Sequence, residues 1–299
     1  MVAPVLAQTK SHLCNLFKIN GSTYPATSIT LKDNATQLAI EDKIIANIPT
    51  QHPQDEIPIT LDGKAIYCVA GTLTADLVKE AASTGLFIIY GSINHNDRNY
   101  IRSYTNGAKS IKFINIDGEQ VTSLQQILDE SEASSVTFEN CNFSKVWTLL
   151  QAFSDMSNLT SFSFKGMGLT NKLTELRYMF FGCKKLESVD FCNCDFSSVN
   201  NLYGMFSNCS ALKSIDFSGC NLTSVSSTGN MFNSCSALES IDFSNCDFSN
   251  VTTIQYYMFA GCKALKEIKA IGCNEATIAF LKDRLNDAGL TKQVTLTVK

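Results

Sequence analysis

The chain has 299 residues, 24 basic and 28 acidic side chains and a net charge of −4; it is 44% hydrophobic and 17% charged. That composition supports a sizeable core and excludes the basic stripe of a nucleic-acid binder. No run approaches the roughly 18 apolar residues of a membrane span.

The opening "MVAPVLAQTKSHLCNLF" has no basic start, and Pro4 interrupts its short apolar stretch, so no secretory signal is expected. In chain order, "SHLCNLF" reads as a short amphipathic helix and 26–31 as a strand. Over 34–48, Asn34 is a helix N-cap candidate, with apolar Leu38, Ile40, Ile44, Ile45 and Ile48, and the pattern predicts a helix. Residues 56–71 read as a hairpin around Asp62-Gly63. Residues 1–72 are therefore expected to form a small α+β domain that caps or anchors the rest of the chain. "GLFIIYG" (85–91) predicts one further strand.

From there the chain repeats itself. "LESVDFCNCDFSSV" begins at Leu186, "LKSIDFSGCNLTSV" at Leu212 and "LESIDFSNCDFSNV" at Leu238. The clear copies begin at Leu159, Leu186, Leu212, Leu238 and Leu265, at spacings of 27, 26, 26 and 27. Weaker copies place Ala108, Ile111, Phe113 and Ile116, and then Ala133, Val136, Phe138, Cys141, Phe143 and Val146, in the same slots. Val294 and Leu296 take the strand slots 26 residues beyond Ile268 and Ala270. A period of this length marks a solenoid, and L-x-x-L-x-L-x-x-N/C-x-L is leucine-rich-repeat spacing. One unit cannot bury its apolar face alone, but a stack of units can. The expected fold is an α/β leucine-rich-repeat solenoid over 73–299, with parallel strands on the concave face and short helical returns on the convex face. Met205, Phe206, Cys209 and Leu212 lie along one such return. Residues 274–299 form a terminal cap: a helix over 274–290 ending at Gly289, then the strand "QVTLTV".

The recurring "MF..C..L" followed by "SIDFS" resembles the BspA-type leucine-rich repeats of bacterial surface proteins, strongly over 133–273 and loosely over 86–299. That resemblance implies an adhesive or partner-binding surface protein. The family also occurs in protozoa and in gut-associated viruses, and most members carry export signals.

Twelve cysteines are present. Cys141, Cys194, Cys220, Cys246 and Cys273 fill the turn slot, and Cys183, Cys209, Cys235 and Cys262 the slot after Met-Phe. A row of buried thiols is expected, free and non-metallated, because zinc needs converging ligands. Cys192 takes an outward slot and is expected to be the most readily alkylated.

Strand side chains alternate, so Ile215 and Phe217 point inward and Asp216 outward. The outward slots read down three columns. Ser135, Ser161, Ser188, Ser214 and Ser240 form the first; Thr137, Ser163, Asp190, Asp216, Asp242 and Lys269 the second; Glu139, Lys165, Cys192, Ser218 and Ser244 the third. Three aspartates on adjacent rungs repel by roughly 1 kcal/mol per pair in a water-like environment. Neighbouring serines and Lys269 are expected to solvate them. The candidate binding strip is Ser188, Asp190, Ser214, Asp216, Ser240, Asp242 and Lys269.

His12, His52 and His95 are scattered, and no nucleophile elbow, zincin or phosphate-loop motif is present. The expected function is that of a non-catalytic structural or interaction protein without cofactor or metal. Residues 1–72 would dock it into a larger assembly, a virion or a surface layer, with oligomerisation through that domain, while the solenoid displays its strip. The alternative is a cell-surface adhesin for a host protein or glycan, and a remote alternative is an enzyme. Nucleic acid and membrane insertion are not expected; synthesis in a reducing cytoplasm is.

Overall fold

The computed structural model describes residues 101–102, 108–191, 194–251 and 257–299, together with the backbone of the strands that precede them. Cys192 lies outside the described residues. The chain divides into two compact units: Met1–Val121 with Ser135–Phe143 and Gly166–Gly168, and Thr122–Ser134 with Ser144–Lys165 and Leu169–Lys299.

In the first unit, β1 (Leu13–Asn15) pairs with β6 (Lys64–Val69), which closes the expected hairpin with β5 (Ile59–Leu61) through the register Leu61↔Lys64. The strand expected over 26–31 is β2 (Ile29–Lys32). The helix expected over 34–48 does not form. Residues there make β3 (Gln37–Ile40) and β4 (Lys43–Asn47), antiparallel to each other, with β3 also paired to β2. Ile40, Ile44 and Ile45 are β-branched, and strand pairing overrides the helical spacing. The helix expected in "SHLCNLF" is likewise replaced, by β1. "GLFIIYG" does become a strand, β7 (Leu86–Asn94). It is followed in a parallel sheet by β8 (Ser110–Gln120) and β9 (Ser135–Glu139), with Phe87↔Ile111↔Val136 and Ile89↔Phe113↔Phe138 in register.

The second unit is a parallel-strand solenoid of the leucine-rich-repeat kind. Strand β10 (Ser161–Ser163) pairs with β11 (Ser188–Asp190). Strands β12 (Ser214–Asp216), β13 (Ser240–Asp242), β14 (Glu267–Lys269) and β15 (Thr295–Thr297) form a second parallel run. The terminal register differs from expectation: Leu296 pairs with Ile268, 28 residues back rather than 26. The last rung is lengthened because it contains a full helix, α1 (Glu275–Asp287), begun by Asn274, whose side chain accepts from Thr277 N. Thr277 Oγ1 in turn accepts from Phe248 N at 2.8 Å, so α1 is bonded to the preceding rung.

Phenylalanine fills the interior in two files. Phe153, Phe180, Phe206, Phe232 and Phe259 stack with centroids 5.5–6.1 Å apart, and Phe191, Phe217 and Phe243 stack at 4.5 and 5.6 Å. Phe191, Phe217 and Phe243 are 6%, 1% and 0% exposed. One residue per rung at a fixed slot makes each ring stack on its own copy, and each such pair adds about 0.5–1.5 kcal/mol beyond area burial.

The return segments are not helical, contrary to the sequence-based expectation. Their amides alternate between two partners. Leu202, Gly204, Phe206 and Asn208 donate across to Ser227, Gly229, Met231 and Asn233 of the next rung, at 2.8–2.9 Å. Met205, Ser207 and Cys209, between them, donate back to Leu202, Gly204 and Phe206 of their own rung. The rung before does the same: Leu176, Tyr178, Phe180 and Gly182 donate to Asn201, Tyr203, Met205 and Ser207. Two residues in each return segment adopt positive φ. One column is Gln126, Gln151, Tyr178, Gly204, Asn230 and Tyr257, and the other is Glu130, Asp155, Gly182, Asn208, Ser234 and Gly261. A left-handed residue every fourth position stops an α-helix from propagating. The outcome is a second hydrogen-bonded ladder opposite the strands.

The cysteines belong to this construction. Cys183, Cys209, Cys235 and Cys262 point their thiols at the carbonyls of Phe153, Phe180, Phe206 and Phe232 on the rung before, at 3.0–3.1 Å. In the turn slot, Cys246 and Cys273 do the same to Phe217 and Phe243, at 3.2 and 3.1 Å. All nine described cysteines are free. Burial pushes the thiols up, Cys220 to about 11 and Cys262 to about 12, with Cys209 and Cys235 held well above the ordinary range.

Truncating the centre of the longer file, Phe206→Ala, is expected to remove roughly 3–5 kcal/mol of unfolding free energy in urea. Unfolded thiols ionise near pH 8.5, well below their folded values. Stability contributed by the buried thiols is therefore complete below that pH and declines as pH rises toward 11–12. Denaturation midpoints across pH 7–11 check the sign. Among the described cysteines, half-buried Cys194, Cys220 and Cys273 should alkylate before Cys183, Cys209 and Cys235, which should react only on unfolding.

Candidate functional site

The strip lies on the strand face. Ser188, Asp190, Ser214 and Asp216 are exposed, and Ser240, Asp242 and Lys269 are half-buried. Val189, half-buried, and Ile215, Ile241 and Ile268, fully buried, alternate with them. The period of two thus separates strip from core as the pattern requires. Register brings Ser214 opposite Ser240, and aligns Asp216, Asp242 and Lys269 across three strands. Asp190 belongs to the other run, opposite Ser163, whose hydroxyl donates to its Oδ2 at 3.1 Å. Asp216 and Asp242 are therefore direct strand partners.

Their carboxylates have a local task as well. Asp216 Oδ1 accepts from Ser218 N at 2.7 Å, and Asp242 Oδ1 from Ser244 N at 2.9 Å. This i to i+2 bond closes the turn that leaves the strand. Backbone amides, rather than the expected serine hydroxyls and Lys269, hold these two aspartates. The same bond recurs at the next corner, where Asp195, Asn221 and Asp247 accept from Ser197, Thr223 and Ser249. It recurs again at the start of the return, where Thr148, Glu175 and Asn201 accept from Leu150, Arg177 and Tyr203. The sequence signal for this role was Asp-Phe-Ser itself, an acceptor two residues before a turn amide.

Beside the strip runs a column of alternating charge. Lys213 Nζ meets Glu187 Oε2 at 3.1 Å and Lys266 Nζ meets Glu239 Oε2 at 2.7 Å, all four side chains more than half exposed. The Lys266 bond and charge lower Glu239. Exposed pairs of this kind contribute little to stability and are screened by salt. Hydroxyls and amides add further inter-rung bonds: Ser210 to Lys184 O, Thr174 to Trp147 O, Ser226 to Asn200 O and Asn250 to Thr223 O. The strip is thus an array of separate carboxylates and hydroxyls on the strand face. Among the described residues, no three His, Cys, Asp or Glu side chains converge on a metal position. No described helix is long and apolar enough to cross a membrane.

Residues 167–271 match a family model described as "Mycoplasma protein of unknown function, DUF285". No curated protein matches. The crystal structure of a leucine-rich cell surface protein from Faecalibacterium prausnitzii A2-165 is similar at 16% identity and a TM-score of 0.34, over 64% of this chain and 62% of that one.

Replacing Asp216 or Asp242 by Ala should cost about 1 kcal/mol each, one net hydrogen bond. Asn, which keeps the acceptor and removes the charge, should leave stability unchanged or higher. Chemical denaturation separates the two outcomes. Side-chain and backbone donors of Ser197 and Ser249 lower Asp195 and Asp247. Their contribution is therefore present above the unfolded value near pH 4 and lost as pH falls below it. Melting temperatures from pH 6 to pH 3 should decline, and less so when both are changed to Ala.

Proposed function

We propose that this chain is a non-catalytic interaction protein that holds the Ser188–Asp190–Ser214–Asp216–Ser240–Asp242–Lys269 strip toward a protein partner at a surface. The observation that carries this reading is the outward pair Asp216 and Asp242 held in register, with Asp190 outward on the other strand run. Solenoids bind along their strand faces, and an acidic array favours a partner with basic or hydroxyl-rich side chains. In this reading residues 1–72 are the anchor that docks the chain into a larger assembly, a virion or a surface layer. The repeat's resemblance to BspA-type proteins supports surface display, and the corresponding alternative is an adhesin that acts as a monomer.

The test is a comparison of the full chain with an Asp190→Asn, Asp216→Asn, Asp242→Asn variant as bait against surface-protein extracts. A partner retained by the first, lost by the second and weakened by salt is expected, with melting temperature unchanged or higher. Equal retention by both would remove the strip from the reading. Light scattering should show a defined oligomer or partner complex; a stable monomer that attaches to cells would favour the adhesin.

A further inference from the structure

The chain contains one tryptophan, and the fold leaves it in the open. Trp147 is 50% exposed, while Val146 before it and Thr148 after it are buried. Its backbone is fixed on both sides. The amide donates to Thr122 O at 2.9 Å, and the carbonyl accepts from Thr174 N at 2.9 Å, Glu175 N at 3.2 Å and Thr174 Oγ1 at 3.1 Å. The indole makes no hydrogen bond or ring contact among the described residues. An exposed ring on a rigid backbone is poised for a partner at little entropic cost.

The neighbouring side chains narrow the chemistry. Lys145 is exposed two residues before Trp147, in the turn that leads to it, with buried Val146 between them. On the next rung Lys172 is exposed, Leu173 buried and Thr174 half-buried, repeating the pattern. Hydrogen bonds from Thr170 to Ser144 O and from Thr174 to Trp147 O bracket the two lysines and set the rungs side by side. Neither lysine makes an ion pair among the described residues. Lysine and tryptophan side chains offer donors and no acceptor, so the complement must present acceptors, negative charge and a flat apolar face.

We propose that Trp147, Lys145 and Lys172 form a binding site for an anionic sugar unit, such as the uronic acid of a surface glycan. The sugar's C–H face lies on the indole and its carboxylate is held by the two ammonium groups, with the Thr122 and Thr174 hydroxyls at the edge. A nucleobase would also stack on an indole, but the net charge of −4 lacks the basic track that a polynucleotide requires. This site is separate from the strip and does not rest on the function proposed for it.

The lone tryptophan is its own reporter. The full chain is titrated with a uronic-acid tetrasaccharide, with its carboxyl-reduced neutral analogue and with a single-stranded oligonucleotide, while tryptophan emission is followed. A saturable change with the acidic saccharide is expected, weaker by about tenfold or more for the neutral analogue, as loss of a charge-assisted contact implies. Calorimetry should show a similar loss for Lys145→Ala/Lys172→Ala and for Trp147→Ala, at unchanged melting temperature because all three side chains are exposed. Four results would each overturn the proposal. These are no saturable change into the millimolar range, equal binding of the neutral analogue, preference for the oligonucleotide, or variants that bind as the parent does.

Discussion

The structure depends on the register between neighbouring rungs. In the return segment every second amide reaches the next rung and the others close turns within their own. Every amide from Leu202 to Cys209 except that of Tyr203 is served by one of these two ladders, and Tyr203 N is taken by Asn201 Oδ1. Buried backbone groups must be paired, and here pairing is possible only when the next rung presents its carbonyls at the same height. Once that condition is met, identical slots fall on one another. Phenylalanines stack face to face and thiols meet carbonyls because the register has already placed them.

Cysteine suits its slot for the same reason. A small, weakly polar side chain fits a fully buried position, and its thiol reaches a phenylalanine carbonyl that already accepts from an amide of its own turn: Phe180 O receives Cys183 N as well as the Cys209 thiol. The rungs are thereby joined by contacts that need no oxidation. Outward, serines, threonines and asparagines repeat this with carbonyls of the preceding rung, so the solvent side is also cross-tied.

Much of this was legible in the residues. The period, the strand slots, the inward files of phenylalanine and the two cysteine columns follow from spacing alone, since burial repeats with the copy. The return segment misled because Met205, Phe206, Cys209 and Leu212 have helical spacing. Their neighbours Gly204 and Asn208, both at positive φ, carried the contrary signal; in other copies Tyr178 and Ser234 take those conformations and hide it. Residues 37–47 misled in the same way, where isoleucines at helical spacing form a hairpin. Outside the copies there is no second example with which to average out a local ambiguity. The strip was legible as a set of outward residues, but the turn-closing bonds of Asp216 and Asp242 were not, because an outward aspartate looks the same whether or not it caps an amide.

The twofold use of amides in the return also governs how such a gene can change. Losing or gaining a single codon inside the alternating segment from Leu202 to Cys209 would put donors opposite donors along that ladder. Removing or duplicating one entire copy leaves each carbonyl facing an amide, so unequal crossing-over between near-identical segments yields shorter or longer proteins that still fold. Length itself becomes a heritable variable, and with it the number of carboxylates set out in a row.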